Sequence, residues 1–84
     1  MNHEMELELS PRPEVLERVL RVIRHRGFKI TGMQMRAGDD AMIHLAVNLE
    51  ADRAIELLSR QLDKLVDVQR CRVLAVASSL ALRR

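Results

Sequence analysis

Aromatic residues are almost absent from this 84-residue sequence, which has no Trp or Tyr and a single Phe, Phe28. At this length, folding buries only roughly 60% of the surface that the unfolded chain exposes, so an aliphatic core alone is marginal. The lack of aromatics also argues against domains that bind nucleic acid by stacking bases on rings. We therefore expect a small domain that is stabilised by a partner or by a second copy of itself.

Cysteine is equally scarce, since Cys71 is the only one. A disulfide framework is thus excluded, and a lone cysteine suits a reducing compartment. The stretch "MNHEMELELS" lacks the basic region and apolar run of a signal peptide. No apolar run approaches the ~20 residues that span a bilayer. These features predict a cytoplasmic protein that has no membrane segment.

Recognisable arrangements of catalytic or metal-binding residues are also missing from the sequence. The net charge of +2 is too small to indicate nucleic acid as a partner. No hydroxyl residue lies in a recognisable nucleophile–base arrangement, and the histidines and Cys71 lack the short spacing of metal ligands. We predict no catalytic, cofactor-binding or metal-binding residue, and therefore no enzyme activity by this chain alone.

The first half of the sequence alternates between strand and helix patterns. "EMELELS" places apolar and acidic residues in turn, which is typical of a half-buried strand. "EVLERVLRVIRHRG" has apolar residues at helical spacing, with Gly27 at the position of a left-handed C-cap. "FKITGMQMR" predicts a second strand, in which Phe28 and Met33 differ in parity. A bulge at Thr31-Gly32 would restore the phase.

The second half repeats the alternation. Residues 37–40 predict a hairpin turn, and "AMIHLAVNLE" is a strand with clean alternation. Asp52 is a plausible N-cap for a helix over residues 53–65, and "VDVQRCRVLAV" predicts the last strand. The order β-α-β-β-α-β predicts an α+β ferredoxin-like sandwich, a four-stranded antiparallel sheet with both helices on one face. Residues 1–77 would form this single domain, and residues 78–84 a frayed C-terminal tail.

A basic cluster lies at the end of the first helix and the start of the second strand. Its members are Arg18, Arg21, Arg24, His25, Arg26 and Lys29. It is a solvated helix end that matches the helix dipole, a docking surface for a protein, or a weak nucleic-acid patch. If it docks a protein, the contacts would be Arg21, Arg24 and Arg26, with Met33 and Met35 as an adaptable apolar alternative.

Two stretches, "LERVLRVIRHRGFKITGMQM" and "QLDKLVDVQRC", resemble the small regulatory subunits of acetolactate synthase (acetohydroxyacid synthase). The domain of these subunits is of the ACT type, and the resemblance covers roughly residues 5–76. In its length and in the residues of these two stretches, the sequence is similar to the isozyme II type of small subunit.

The resemblance implies a regulatory, activating subunit in the synthesis of isoleucine, valine and leucine. Its partner would be a large catalytic subunit that uses thiamine diphosphate, FAD and magnesium, so no cofactor would belong to this chain. Family members often dimerise through the second strand. Residues 28–36 would then form the dimer edge, with Phe28, Ile30 and Gly32 along it.

The sequence departs from the family pattern at the amino-acid site. Valine-sensitive relatives have an N-x-x-G-type loop before the first helix and an asparagine after the glycine–aromatic pair. The corresponding residues here are Pro11, Glu14 and Lys29. Proline removes a donor, and Glu14 puts negative charge where a carboxylate would bind. We expect little or no valine feedback. The alternative is a self-standing ACT-type module that senses another small ligand.

Overall fold

The computed structural model describes residues 1–74 and contains four strands and two helices. They are β1 (Asn2–Leu9), α1 (Pro13–His25), β2 (Lys29–Ala37), β3 (Ile43–Glu50), α2 (Ile55–Asp63) and β4 (Val68–Leu74). The predicted order and the ferredoxin-like fold are confirmed. The predicted domain boundary at residue 77 and the tail 78–84 lie outside the described residues.

The four strands form one antiparallel sheet in the order β2-β3-β1-β4. The two central strands, β1 and β3, pair along their full length, from Asn2 opposite Glu50 to Leu9 opposite Ile43. β2 and β4 are the two edges. The prediction that the second strand lies at an edge is therefore confirmed.

Alternation along the central strands separates two sides of the sheet. In β1, Met5, Leu7 and Leu9 are buried against the helices, as the pattern predicted. The same side receives alternate residues of β3 and one stripe from each helix. These buried partners are Leu45, Val47, Leu49, Val15, Val19, Ile23, Ile55, Leu58 and Leu62. We call this the helix side of the sheet, and we call the opposite surface the open face.

α1 begins with a proline and ends at a glycine. Pro13 occupies the first turn, where its missing N–H leaves no bond unmade. Gly27 has a φ of 87°, so it takes the left-handed conformation that a C-cap requires. Its N–H donates to the Arg24 carbonyl at 3.1 Å, and the Phe28 N–H donates to the Ile23 carbonyl at 3.2 Å. These two bonds form a Schellman motif and aim the chain into β2.

α2 differs from its prediction at both ends. The helix spans Ile55–Asp63, and the N-cap is Ala54, which makes no side-chain capping bond. The prediction of Asp52 as N-cap is therefore wrong. Asp52 precedes the cap by two residues, whereas a capping side chain bonds the amides two or three positions after it. The helix does not bury Leu57, which is 54% exposed.

β2 contains the predicted bulge. The pairing of β2 with β3 shifts between Ile30, opposite Leu49, and Gly32, opposite Asn48. Because of the extra residue, Met33 and Met35 lie opposite Val47 and Leu45 on the helix side.

His3 is buried on the helix side of the sheet, among apolar neighbours. The residue is 3% exposed, and its ring lies 6.2 Å from that of Phe28, centroid to centroid. Neither ring nitrogen has a hydrogen-bond partner among residues 1–74. A buried polar group without a partner costs free energy that an apolar side chain of similar size would not.

We therefore expect His3→Leu to raise the free energy of unfolding by about 1–3 kcal/mol, the usual cost of an unsatisfied buried group. Urea titration followed by circular dichroism would measure it. His25→Leu is the matched control, because His25 is exposed on α1, and it should change stability by less than about 0.5 kcal/mol. A His3→Leu variant that is less stable than the parent would contradict this account.

Candidate functional site

The three predicted amino-acid-site positions do not meet within one chain. Pro11 and Glu14 follow the end of β1, near the end of the sheet where Leu9 pairs with Ile43. Lys29 starts β2 at the opposite end, where it pairs with Glu50. Seven residue steps along β3, from Ile43 to Glu50, separate these ends by about 23 Å. All three residues are exposed.

The loop before α1 is held in place by hydrogen bonds to Asp67 of the same chain. The Ser10 N–H donates to the Asp67 carbonyl at 2.9 Å. The Asp67 carboxylate accepts a hydrogen bond from Arg12 and a longer one, at 3.5 Å, from Nη1 of Arg18. These contacts join the β1–α1 loop to the α2–β4 connection. Arg12 of the loop and Arg18 of α1 therefore both face the carboxylate of Asp67.

The basic cluster is divided by the fold. Arg18 turns toward Asp67, and Nη2 of Arg26 donates to Oε1 of Gln61 on α2 at 3.0 Å. Arg21 and Arg24 are exposed and form no ion pair with any residue in the range 1–74. Contact of these arginines with a protein partner stays a prediction, and Arg21 and Arg24 are its most accessible members.

The predicted dimer edge differs from expectation at Phe28. This side chain lies just before β2 and is buried in the core, because the Schellman turn directs it inward. Ile30 and Gly32 do lie on the edge strand. At Gly32, a Cβ would lie 3.0 Å from Nδ2 of Asn48, so a larger residue would displace that amide. Phe28 is thus a core residue, and the edge itself begins at Lys29.

Met33 and Met35 are exposed apolar residues of the same edge strand. They are 47% and 53% exposed, although they point to the helix side. A sheet edge that pairs with no other strand in residues 1–74 and that exposes apolar side chains is a surface open to association.

The open face carries charged residues in rows that cross all four strands. One row is Arg36, His44, Glu8 and Arg70, and the next is Gln34, Ala46, Glu6 and Arg72. Together they line a concavity of about 560 Å³, which we call the open-face groove. Sequence analysis missed it. The sequence does show the polar residues that alternate with apolar ones in each strand. Only the strand register, however, shows which of these polar residues lie side by side in one row.

The hairpin beside the groove is fixed by Asp40. Its carboxylate accepts the Met42 N–H at 3.1 Å and lies 3.2 Å from Nε2 of His44. The backbone N–H, and then the His44 ring, lower the pKa of Asp40. A Cβ on Gly38 would lie 2.5 Å from Nε2 of His44 and 2.7 Å from Oδ1 of Asp40, so a larger residue would displace these two side chains. These contacts hold His44 at the rim of the groove.

Cys71 is half-buried in β4, opposite Leu7. Burial, with a smaller contribution from the negative charge of Asp63, raises the pKa of the thiol from 9.0 to about 11. Since the thiolate is the reactive form, the folded protein protects this cysteine.

We expect iodoacetamide at pH 8 to modify Cys71 of the folded protein about a hundredfold more slowly than in the urea-unfolded chain, because two pKa units reduce the thiolate fraction by that factor. Mass spectrometry of timed samples would measure both rates. Equal rates in the folded and unfolded states would show that the thiol is neither buried nor shifted.

Among residues 1–74, no cluster of three or more His, Cys, Asp or Glu side chains could hold a metal ion. Neither α1 nor α2 is long and apolar enough to cross a membrane. The candidate binding sites in this part of the chain are therefore two surfaces, the outer edge of β2 and the open-face groove.

Comparison with known proteins agrees with the fold. The family model for the ACT domain matches residues 11–71. The chain therefore belongs to the ACT domain family. Within it, the chain is a relative of acetolactate synthase small subunits: it is 46% identical over 69 residues to the isozyme 2 small subunit of Escherichia coli (strain K12), covering 81% of this chain and 79% of that subunit.

Solved structures show the same architecture. The acetolactate synthase small subunit from Thermotoga maritima superposes with a TM-score of 0.81 at 21% identity, over 94% of this chain and 50% of that one. The ACT domain of the GTP pyrophosphokinase of Chlorobium tepidum gives a TM-score of 0.75 at 12% identity, over 88% and 97%. At these identities the likeness concerns the fold alone.

Proposed function

We propose that the protein is the activating regulatory subunit of an acetolactate synthase in branched-chain amino-acid synthesis. The observation that carries the proposal is the 46% identity to a small subunit of this enzyme over 81% of the chain. The partner is a large catalytic subunit in the cytoplasm, and thiamine diphosphate, FAD and magnesium belong to that partner. This chain contributes no catalytic group.

Activation by such a domain rests on differential binding. A subunit without catalytic groups raises a rate only if it binds the active arrangement of its partner more tightly than the inactive one. A difference of about 2.7 kcal/mol shifts the ratio of the two arrangements roughly a hundredfold. The small subunit would thus stabilise the active form of the catalytic subunit.

The outer edge of β2, which pairs with no strand in residues 1–74, supports a homodimer. Two copies that pair antiparallel through β2 would form one continuous eight-stranded sheet. Lys29 of one copy would then lie at the same end of the sheet as Pro11 and Glu14 of the other, although one chain keeps them apart. An amino-acid site divided between copies fits this arrangement, and these three side chains make it a degenerate one.

We expect Met33→Lys to convert the dimer to monomers. Met33 is at the middle of β2, so a two-fold axis there brings both copies of residue 33 together and a lysine pair would repel. Sedimentation velocity would measure the mass. Leu57→Lys is the matched control, because Leu57 is similarly exposed but lies on α2. Dimers that persist in Met33→Lys would rule out pairing through this edge.

We expect the protein to stimulate acetolactate formation from pyruvate by a separately purified isozyme 2 catalytic subunit, and millimolar valine to leave the stimulation unchanged. Pro11 lacks the N–H, and Glu14 carries the wrong charge, for holding the carboxylate of valine. A colorimetric acetolactate assay measures this. Stimulation that valine abolishes would overturn the account of the degenerate site, and the absence of any stimulation or complex would overturn the proposed function.

A further inference from the structure

The open-face groove is a shallow surface with positive rims and a small central residue. Arg36 forms the rim on β2, and Arg70 and Arg72 form the rim on β4. The two rims are three strand spacings apart, or about 14 Å. Between them lies Ala46, whose short side chain leaves the hollow at the centre.

Only some of the charged side chains in the groove are paired with an opposite charge of the same chain. Glu6 accepts a hydrogen bond from Arg72 at 2.5 Å, and His44 is joined to Asp40. Arg36 and Arg70 form no ion pair with any described residue. Each rim therefore has a cation that is available to a carboxylate from outside.

We propose that the open-face groove is the docking surface for the catalytic subunit, and that it receives a segment with two carboxylates and a neutral side chain between them. The carboxylates would meet Arg36 and Arg70, and the neutral side chain would fill the hollow above Ala46. This inference rests on the proposed function, and it adds where on this chain the partner binds.

The charge pattern favours a protein over other occupants. Glu6 and Glu8 lie between the rims, so a continuous line of phosphates across the groove would meet negative charge. In the basic helix end, Arg18 and Arg26 already bond Asp67 and Gln61, so only Arg21 and Arg24 remain as a competing docking site. A second copy paired along β2 would leave the open face uncovered, so a dimer would present two grooves on one continuous surface.

The test compares two double variants of the full chain that have the same net charge. Arg36→Glu with Arg70→Glu reverses the rims of the groove, whereas Arg21→Glu with Arg24→Glu reverses the exposed face of α1. Isothermal titration with the purified catalytic subunit gives the Kd of each. We expect the groove variant to bind about tenfold more weakly or worse, and the helix variant to remain within about threefold of the parent.

A second pair of variants changes shape without changing charge. Ala46→Leu fills the hollow and should weaken binding, while Ala54→Leu makes the same substitution at an exposed position before α2. Thermal unfolding and sedimentation of every variant separate lost docking from lost folding or dimerisation. Folded Arg36→Glu/Arg70→Glu and Ala46→Leu variants that both bind like the parent would overturn the inference.

The remaining outcomes are also decisive. Equal weakening by the groove and helix double variants would indicate a general charge effect and would overturn the groove as the docking site. Weakening by the helix variant alone would move the docking site to α1. If the unmodified chain forms no complex, the proposed function fails together with the inference; if it forms one that the groove variants leave intact, only the inference fails.

Discussion

The central strand β1 is the constraint on which the rest of the molecule depends, because it pairs with β3 on one side and β4 on the other. Its apolar residues alternate with glutamates. A shift of one residue in register would expose Met5 and Leu7 and bury Glu6. The register that buries the apolar half also aligns Glu6 with Ala46 and Arg72. One alternation therefore builds the core and, on the reverse surface, the charged rows.

The bulge in β2 determines what the edge of this sheet presents. Without the extra residue near Thr31, Met33 and Met35 would lie on the open face, and Arg36 would lie on the helix side. With it, the methionines form an apolar edge beside the helices, and Arg36 becomes a rim of the groove. A local irregularity of one residue thus separates an apolar surface for association from a charged surface.

The edge of β2 and the open face are two different surfaces, so the chain could bind a second copy with one and a catalytic partner with the other. In the proposed dimer, β2 would engage a second copy through backbone hydrogen bonds along its outer edge, whereas the open face would stay accessible. In the proposed arrangement, dimerisation would use the backbone edge of β2 and docking would use the open face, and Arg36 on β2 lies where the two meet.

The element order, the core strands and the bulge could be predicted from the sequence, because each depends on the local periodicity of apolar residues. The end of α1 could be predicted as well, because it depends on the backbone preference of one glycine. The sequence by itself did not determine the start of α2, where packing of Ile55 prevailed over the capping preference of Asp52, nor the burial of Phe28. Only the tertiary structure decided which polar residues share a surface. Arg36, Glu8 and Arg70 are distant in the sequence, and nothing but strand order and register brings them into one row.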